Sequence, residues 1–277
     1  MSRELTYVQK VEQSISKKYH DVIWSRFTLA VRNYRLINEG DRIAVCISGG
    51  KDSMLMAKLV QMLQKYGKVD FEAVYLVMDP GYNKLNREKI ENNARMLEIP
   101  VTIFETDIFD VANSAGSSPC YLCARMRRGH LYNKAKEMGC NKIALGHHFS
   151  DVIETTLMGM LYGAQIQAMM PKLHSTNFEG MELIRPMYCI HEDDIIAWKN
   201  YNGLDFIQCA CRFTEMTASK DKESESKRRE VKKLIKELKK ENPLVESNIF
   251  NSIHNVCLDT FPGYKTNGEE HSFLDDY

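Results

Sequence analysis

The residues with the clearest chemical potential are 48–53, which read Ser-Gly-Gly-Lys-Asp-Ser and are called the glycine loop below. A short apolar run precedes the loop and a helical pattern follows it. At such a strand-to-helix turn, free backbone N–H groups and the positive end of the helix bind anions. The glycines allow close approach of the backbone, and the lysine can balance phosphate charge. We therefore predict a nucleotide site that consists of Ser48, Gly49, Gly50, Lys51, Asp52 and Ser53.

An ordinary glycine turn is the alternative interpretation of these six residues. The loop also lacks the Gly-x-x-x-x-Gly-Lys spacing of a Walker loop. The complete hexapeptide between a strand and a helix favours nucleotide binding over the plain turn.

Four of the eight cysteines occur as close pairs, Cys120 with Cys123 and Cys209 with Cys211. Each spacing suits a metal centre. Structural zinc with four ligands and an iron–sulfur cluster held by three cysteines both remain open. A redox dithiol is disfavoured because the first pair follows the third predicted strand instead of the first. The isolated cysteines are predicted to be small buried hydrophobes: Cys46, Cys140, Cys189 and Cys257.

Two basic segments are candidates for contact with nucleic acid. The predicted helix after the first cysteine pair carries Arg125, Arg127 and Arg128. Lys172 follows a methionine-rich stretch, and residues 220–240 contain ten Lys or Arg against five Asp or Glu. A solvated helix face is the alternative for both segments.

Strands and helices alternate around these residues. Apolar runs predict strands at 42–47, 71–78, 101–105, 142–146, 182–186 and 204–207. Helical spacing predicts one or two helices over 4–38 and further helices at 54–66, 86–97, 127–138 and 151–161. This alternation implies an α/β fold with a mainly parallel sheet and helices on both faces. Such sheets bind ligands beyond the carboxyl ends of their strands, where Gly146, His147 and His148 close the fourth strand.

The composition limits the class of protein. The chain has 277 residues, 44% of them apolar, and 37 basic side chains balance 37 acidic ones. This balance argues against a protein that coats nucleic acid through its overall field. No apolar run approaches the ~18 to 20 residues of a membrane span. We therefore expect a cytoplasmic protein with no membrane partner, in which the cysteines form no disulfide framework.

The patterns divide the chain into four segments. Residues 1–39 are expected to be an N-terminal helical segment and 40–215 an α/β catalytic domain. Residues 216–264 are expected to be a basic helical C-terminal extension, and 265–277 an acidic tail that is mobile.

The chain resembles the tRNA 2-thiocytidine synthetases, a family of PP-loop tRNA sulfurtransferases. The shared motifs are SGGKDS at 48–53, CYLCARMRRGHLY at 120–132, KIALGHH at 142–148, MMPKL at 169–173 and IRPMYC at 184–189. The resemblance implies an adenine nucleotide α-hydrolase-like fold. It also implies ATP cleavage between the α and β phosphates and adenylation of the C2 oxygen of a cytidine in the tRNA anticodon loop. Sulfur then replaces that oxygen to give 2-thiocytidine.

The resemblance further implies cofactors, partners and roles for single residues. Cys120 and Cys123 would be catalytic and would hold a [4Fe-4S] cluster with one open iron, with Cys211 as the third ligand and Cys209 as the alternative. Lys51 and Asp151 would assist adenylation by ATP and Mg²⁺. The ATP site would also include Val77, Gly146 and His147. The expected partners are tRNA, bound by Arg125, Arg127, Arg128 and Lys172, a cysteine desulfurase or other sulfide donor, and a second copy of the chain.

Two positions depart from the family pattern. The family usually has two carboxylates after Gly-His-His-x, whereas Ser150 stands at the first position here and only Asp151 remains. Asp151 thus inherits any role in binding Mg²⁺. The second cysteine pair is usually spaced by two residues, but Ala210 alone separates this pair, which leaves the third cluster ligand open between its two members.

Other functions remain open at the level of the sequence. A sulfurtransferase that acts on a tRNA uridine, or on a small molecule, would keep both the loop and the cysteines. A PP-loop ligase that modifies tRNA without a cluster would need only the loop. The non-enzymatic alternative is an ATP-regulated zinc-binding module, which would leave so complete a nucleotide loop without chemistry.

Overall fold

A six-stranded sheet forms the centre of the computed structural model, which describes residues 4–106, 108, 119–207, 222–275 and 277. For residues 119–125 and 222–226 only the backbone is described. The strands are β1 (Arg42–Ile47), β2 (Glu72–Asp79), β3 (Val101–Glu105), β4 (Lys142–Ala144), β5 (Lys172–His174) and β6 (Glu182–Ile184). They lie in the order β3-β2-β1-β4-β6-β5, and all neighbours are parallel except β5 and β6. The predicted mainly parallel sheet is confirmed.

Parallel pairing brings three distant segments to one edge of this sheet. In the register of β1, β4 and β6, Val45 pairs with Ala144, and Ala144 pairs with Ile184. The segments that leave these strands therefore emerge side by side at what we call the carboxyl edge. The opposite edge, where the parallel strands begin, is called the amino edge.

Helices cover both faces of the sheet, as the alternation of strands and helices predicts. They are α1 (Tyr7–Gln13), α2 (Ser25–Asn33), α3 (Lys51–Tyr66), α4 (Lys84–Met96), α5 (Pro119–Glu137), α6 (Phe149–Gly163), α7 (Glu192–Tyr201), α8 (Lys222–Glu241) and α9 (Val245–Ser252). Successive residues of a strand face opposite sides of a sheet. Val45 accordingly packs in the main core that includes α3, whereas Cys46 packs with Tyr132 of α5 on the other side. None of these helices, over the residues described, is long and apolar enough to cross a membrane.

The N-terminal segment is helical, as predicted, but it is interrupted by two π-helical turns at Ser14–Lys18 and His20–Trp24. Between them, the hydroxyl of Tyr19 donates a hydrogen bond to the carbonyl oxygen of Ala197 at 3.0 Å. Ile15 in the first of these turns is fully buried in the main core. The segment therefore packs on α7.

The prediction of a strand at 204–207 is wrong. Within the described part of the chain these residues pair with no strand, although Leu204 and Phe206 are each only 3% exposed. The carbonyl oxygen of Asp205 accepts a hydrogen bond from Asn93 Nδ2 at 2.9 Å, so a side chain of α4 takes the place of a neighbouring strand. The apolar run thus reflects packing in the core. The short edge strand β5 lies where the sequence pattern predicts no strand.

Helix α8 lies against α6 along a narrow apolar seam. Val231 and Ile235 are buried and form a cluster with Phe149 and Ile153 of α6. Leu234 and Leu238 of the same helix are 40% and 41% exposed, so the seam is limited to Val231 and Ile235, which lie four residues apart on one side of the helix.

A β-hairpin crosses the predicted boundary between residues 264 and 265. Strand β7 (Gly263–Thr266) pairs antiparallel with β8 (Glu269–Ser272). Asn267 and Gly268 between them have φ values of 52° and 85°, as a two-residue type I′ turn requires. Part of the expected acidic tail is therefore regular structure.

Candidate active site

The glycine loop joins β1 to α3 at the carboxyl edge and folds around its two serines. The backbone N–H of Ser48 donates to Ser53 Oγ at 3.1 Å, and the two hydroxyl oxygens are also 3.1 Å apart. Gly50 is the N-cap of α3, and no side chain caps that end of the helix. The N–H groups of the first turn are therefore open to an anionic ligand.

Two glycines allow the tight approach of backbones that this loop needs. Gly49 has φ +84°, and a Cβ there would lie 2.6 Å from a side-chain carbon of Ile90. A Cβ on Gly146, just beyond β4, would lie 3.1 Å from the backbone nitrogen of Ser53. The structure thus places Gly146 directly against the loop, as expected for residues of one nucleotide site.

Lys51 is held between two carboxylates. Its Nζ donates to Asp52 Oδ2 at 3.1 Å and to Glu192 Oε1 at 3.2 Å, and the other oxygen of Glu192 accepts from Lys232 of α8. Burial favours the neutral acid, but Lys232 and Lys51 outweigh it and lower the pKa of Glu192 to about 2. Burial also opposes the charge on Lys51, yet Asp52 and Glu192 raise its pKa. Both groups are therefore charged at neutral pH.

His148 lies between two carboxylates of the site. Its Nε2 is 3.5 Å from Asp151 Oδ2 and 3.7 Å from Asp52 Oδ1. The backbone N–H of His148 donates to Asp151 Oδ2 at 3.0 Å, which fixes the aspartate at the first turn of α6. Within the described residues, Asp52 Oδ1 and His148 Nδ1 are buried without hydrogen-bond partners. The structure therefore brings Asp151 and the loop together, as the sequence analysis predicts.

The basic helix α8 contributes cations to this cluster, which the sequence analysis does not predict. Arg228 Nη1 donates to Asp151 Oδ1 at 3.1 Å, and its Nε lies 3.9 Å from Glu154 Oε2. Glu154 is 5% exposed, and burial raises its pKa to about 7 despite the opposing charges of Lys232 and Arg228. The sequence offers one signal for Glu154, since it lies three residues after Asp151 on the same helix.

Arg185 and His147 complete the carboxyl edge beside β4 and β6. Arg185 is 7% exposed, and burial together with the charge of Arg128 lowers its pKa to about 10. Burial and the charge of Arg185 lower the pKa of His147 to about 4, so His147 is neutral at pH 7. Arg185 belongs to the IRPMYC motif at 184–189, but the motif predicts no role for it.

The remaining predicted site residues lie at different depths around this edge. Val77 is fully buried in the main core and pairs with Ile47 in the sheet, so its side chain is part of the core. Arg127 Nη2 donates to the hydroxyl oxygen of Tyr82 at 3.5 Å, beside the loop that follows β2. Arg128 is exposed on the same helix.

Lys172 is engaged away from the glycine loop. Its Nζ donates to the carbonyl oxygen of Arg35 at 3.3 Å and lies 3.3 Å from Glu182 Oε2. These partners tie β5 to the start of β6 and to the end of α2. The geometry gives Lys172 a structural role, and its contact with tRNA stays a prediction.

The cysteines divide between described and undescribed side chains. The structure does not describe the side chain of Arg125. Nor does it describe the side chains of the two close cysteine pairs: Cys120, Cys123, Cys209 and Cys211. Cys46 and Cys140 are buried, as predicted, and burial raises the pKa of both. Cys189 is partly buried, whereas Cys257 is exposed and its prediction as a buried residue is wrong.

The described side chains of the carboxyl edge suit a metal ion that takes few ligands from the protein. No group of three or more His, Cys, Asp or Glu side chains in the described ranges is arranged to hold one. Mg²⁺ in nucleotide sites uses only one or two carboxylates and takes its other ligands from phosphates and water. The unpartnered Asp52 Oδ1, with Asp151 nearby, fits that kind of site.

Comparison with known proteins finds relatives over most of the chain. A family model described as a PP-loop domain matches residues 11–211. A tRNA-cytidine(32) 2-sulfurtransferase of Syntrophotalea carbinolica is 35% identical over 230 residues, which cover 82% of this chain and 86% of the relative. A protein of the same name from Pelobacter propionicus is 33% identical and covers 92% of this chain and 88% of its own.

A solved structure shares the fold. It is the U34-tRNA thiolase NcsA from Methanococcus maripaludis with its [4Fe-4S] cluster, at a TM-score of 0.65 and 20% identity. The match covers 87% of this chain and 80% of that one. The likeness confirms the predicted α/β fold class.

Proposed function

Because the chain belongs to the tRNA-cytidine(32) 2-sulfurtransferase family of PP-loop proteins, we propose that it uses ATP to replace the C2 oxygen of a tRNA cytidine with sulfur. The observation that carries the proposal is the meeting of the glycine loop, Gly146, His148 and Asp151 at one edge of the sheet. The product is 2-thiocytidine, and position 32 is the expected site because the relatives bear that number in their names.

The glycine loop binds the phosphates of ATP in this proposal. The uncapped first turn of α3 supplies N–H donors. Lys51 supplies a positive charge, and its two carboxylate partners fix the position of the ammonium group. Fixed donors and charges of this kind stabilise a transferring phosphoryl group without reorganisation during the reaction. Asp52 and Asp151 would hold Mg²⁺ together with oxygens of ATP.

The chemistry then proceeds in two displacements. The C2 oxygen of the cytidine attacks the α phosphorus, a P–O bond forms, and pyrophosphate leaves. Sulfide next attacks C2, the C–S bond forms, and the C–O bond breaks with AMP as the leaving group. Adenylation thus converts a poor leaving group into a good one, and the base undergoes no net oxidation or reduction.

We assign the sulfur-carrying site to a [4Fe-4S] cluster held by Cys120, Cys123 and Cys211, with Cys209 as the alternative third ligand. Thiolates are the ligands that iron–sulfur clusters use, and three of them leave one iron open. When bound, the cluster supplies sulfide from that iron. A cysteine desulfurase or another sulfide donor would replenish it.

The tRNA substrate must present its base at the carboxyl edge. A target base is commonly turned out of its stack to enter an enzyme pocket, at a cost of a few kcal/mol. Phosphate contacts hold the rest of the RNA. We place such contacts at Arg125, Arg127 and Arg128 on α5 and at Lys172, and we propose that two copies of the chain assemble as a dimer.

Nucleoside analysis of tRNA tests the proposal. Cells that lack the gene should lose 2-thiocytidine, and the wild-type gene should restore it, whereas a Lys51→Ala gene should not. Loss of a thiouridine with 2-thiocytidine intact would instead identify the uridine-specific alternative. Unchanged thionucleosides would contradict both.

Anaerobic purification tests the cluster separately. The wild-type protein should absorb visible light and contain iron, and separate Cys211→Ser and Cys209→Ser variants should identify the third ligand by loss of iron. A colourless zinc protein with full activity would contradict the cluster.

A further inference from the structure

The strongest unexplained feature of the site is the buried side chain of Arg185. Its Nη1 donates to the carbonyl oxygen of Met170, which fixes the orientation of the guanidinium. The Nε on its other side is buried and, among the described residues, has no hydrogen-bond partner. Burying a cation costs several kcal/mol unless a counterion and hydrogen bonds compensate. Met170 provides only a neutral acceptor, so the fold alone does not account for this charge.

The free side of the guanidinium has a defined chemical preference. Arginine presents its N–H groups as a rigid planar fork that matches two oxygens of a phosphate or carboxylate. With Nη1 bound to the protein, the edge that includes Nε is the one left for such an anion. The guanidinium of Arg185 is already held in one orientation. It therefore loses little side-chain entropy when an anion binds to its free N–H group.

The surroundings of Arg185 are positive or neutral. The positive charge of Arg128 on α5 acts on Arg185, and His147 beside it is neutral at pH 7. The phenol groups of Tyr188 and Tyr132 favour the charge of Arg185 more than Asp151 does, and Asp151 is already bonded to Arg228. An anion at this point would therefore relieve repulsion between two guanidinium groups.

We propose that Arg185 and Arg128 form a phosphate-binding subsite distinct from the glycine loop. Strand β4 lies between β1 and β6, so two strand spacings, about 10 Å, separate the backbone of Arg185 from that of the loop. The expected ligand is a backbone phosphate of the RNA beside the target nucleotide, which rests on the proposed function. A phosphate of ATP has the same chemistry and is the other source.

Binding of an unmodified tRNA transcript and of ATP to the purified full-length protein tests the subsite. Arg185→Gln should weaken tRNA binding about 10- to 100-fold, the range for losing a charged hydrogen-bonded contact. It should also reduce the slope of log Kd against log salt by about one, the value for one lost phosphate contact. Arg185→Lys keeps the charge but not the fork, so it should be intermediate.

Two further variants keep the test decisive. Arg128 is exposed, so Arg128→Gln should fold normally and weaken tRNA binding in the same direction, even where Arg185→Gln is unstable. Arg95→Gln is the matched control, because Arg95 is an exposed arginine of α4 that hydrogen-bonds to Asn92 within its own helix.

The outcomes separate the two sources of phosphate. Weaker tRNA binding with an unchanged KM for ATP assigns the subsite to the RNA backbone. A raised KM for ATP with unchanged tRNA binding assigns it to the nucleotide. If Arg185→Gln and Arg128→Gln bind both ligands as Arg95→Gln does, the subsite is refuted. The proposed function fails independently, through the absence of 2-thiocytidine made by the wild-type protein.

Discussion

Lys142 and Arg185 are buried cations at opposite edges of the same sheet, and their surroundings differ. Lys142 begins β4 at the amino edge, where its Nζ is 2.6 Å from Asp41 Oδ2 and 3.3 Å from Glu182 Oε2. It also donates to the carbonyl oxygen of Leu36 at 3.1 Å. Arg185 follows β6 at the carboxyl edge, and among described residues its side chain hydrogen-bonds only to the carbonyl oxygen of Met170.

The difference separates charges that hold the fold from charges reserved for ligands. At the amino edge every charged group of the cluster has a partner of opposite sign, so the cluster is complete without a ligand. At the carboxyl edge Arg185, Glu154 and Asp52 each have an unfavourable or incomplete environment. Groups with perturbed pKa values and missing partners concentrate at functional sites.

Lys142→Met gives the largest expected effect and tests the structural half of this comparison. Removing one partner of a buried ion pair costs about 3–5 kcal/mol because the remaining charges stay buried. We expect the free energy of unfolding in urea to fall by that amount. The activity of the folded fraction should hardly change, since Lys142 is remote from the glycine loop.

Arg185→Met is the matched variant for that experiment. It removes a buried cation that has no carboxylate partner among the described residues, so it should leave the free energy of unfolding nearly unchanged. A loss of stability as large as that of Lys142→Met would show that Arg185 also holds the fold, and the contrast between the edges would disappear.

Glu192→Gln tests a carboxylate of the carboxyl edge that does have partners. The change keeps the shape but removes the charge that binds both Lys51 and Lys232. We expect kcat to fall about 10- to 100-fold, because Lys51 keeps Asp52 but loses its second carboxylate partner, which is less than the roughly 100- to 1,000-fold loss for a group that stabilises the transition state directly. The KM for ATP should stay constant or fall, since a negative charge near the phosphates is gone.

The adjacent Asp193→Asn is the control for Glu192→Gln. The side chain of Asp193 is 79% exposed and lies 3.9 Å from Lys239, outside the site. It should leave both kinetic constants unchanged. A raised KM with constant kcat in Glu192→Gln would mean that Glu192 affects only ATP binding.

Glu154→Gln tests whether the buried carboxyl group next to Arg228 makes the stability of the protein depend on pH. Burial raises the pKa of Glu154 to about 7, above the ordinary value of about 4.5. The unfolded chain therefore loses this proton first as the pH rises, and wild-type stability should decrease between pH 4.5 and 7. We expect Glu154→Gln to be more stable than wild type by about 3 kcal/mol at pH 8 and equal to it at pH 4, as measured by urea unfolding. An advantage that does not change with pH would contradict the assignment.

Asp41 gives the smallest expected change in the pH dependence of stability, with the opposite sign. Burial opposes its charge, but the hydrogen bonds from Lys142, Asn141 and Asn38 prevail and lower its pKa below the ordinary 3.8. Its stabilising contribution is therefore complete above pH 3.8 and is lost as the pH falls through the lower folded-state pKa. Asp41→Asn should flatten this acid limb of the stability curve, and an unchanged limb would assign the acid sensitivity to other groups.

The sequence predicts those parts of the site that depend on neighbours along the chain. The glycine loop directly follows β1, and β1 and β3 have the predicted bounds. Asp151 is also found where the motif places it, since the backbone of His148 fixes it locally. Short-range periodicity and turn chemistry suffice for such features.

The missed parts depend on partners that are distant in the sequence. Glu192 meets Lys51 across 141 residues, and Arg228 meets Asp151 across 77. No local pattern distinguishes these side chains from solvated charges on a helix. The prediction of a strand at 204–207 fails for a related reason. An apolar run has the same pattern whether it pairs in a sheet or packs against helices. The Asn267-Gly268 pair is different, since this dipeptide is itself a hairpin signal.

The seating of α8 on the carboxyl edge has a consequence for the biosynthesis of the protein. The match to the PP-loop domain ends at residue 211, but the arginine that pairs with Asp151 and the lysine that pairs with Glu192 come from α8. A nascent chain that has emerged only to residue 211 would have the glycine loop and the carboxylates but not these cations. The active site thus gains its balance of charge only when translation has passed α8.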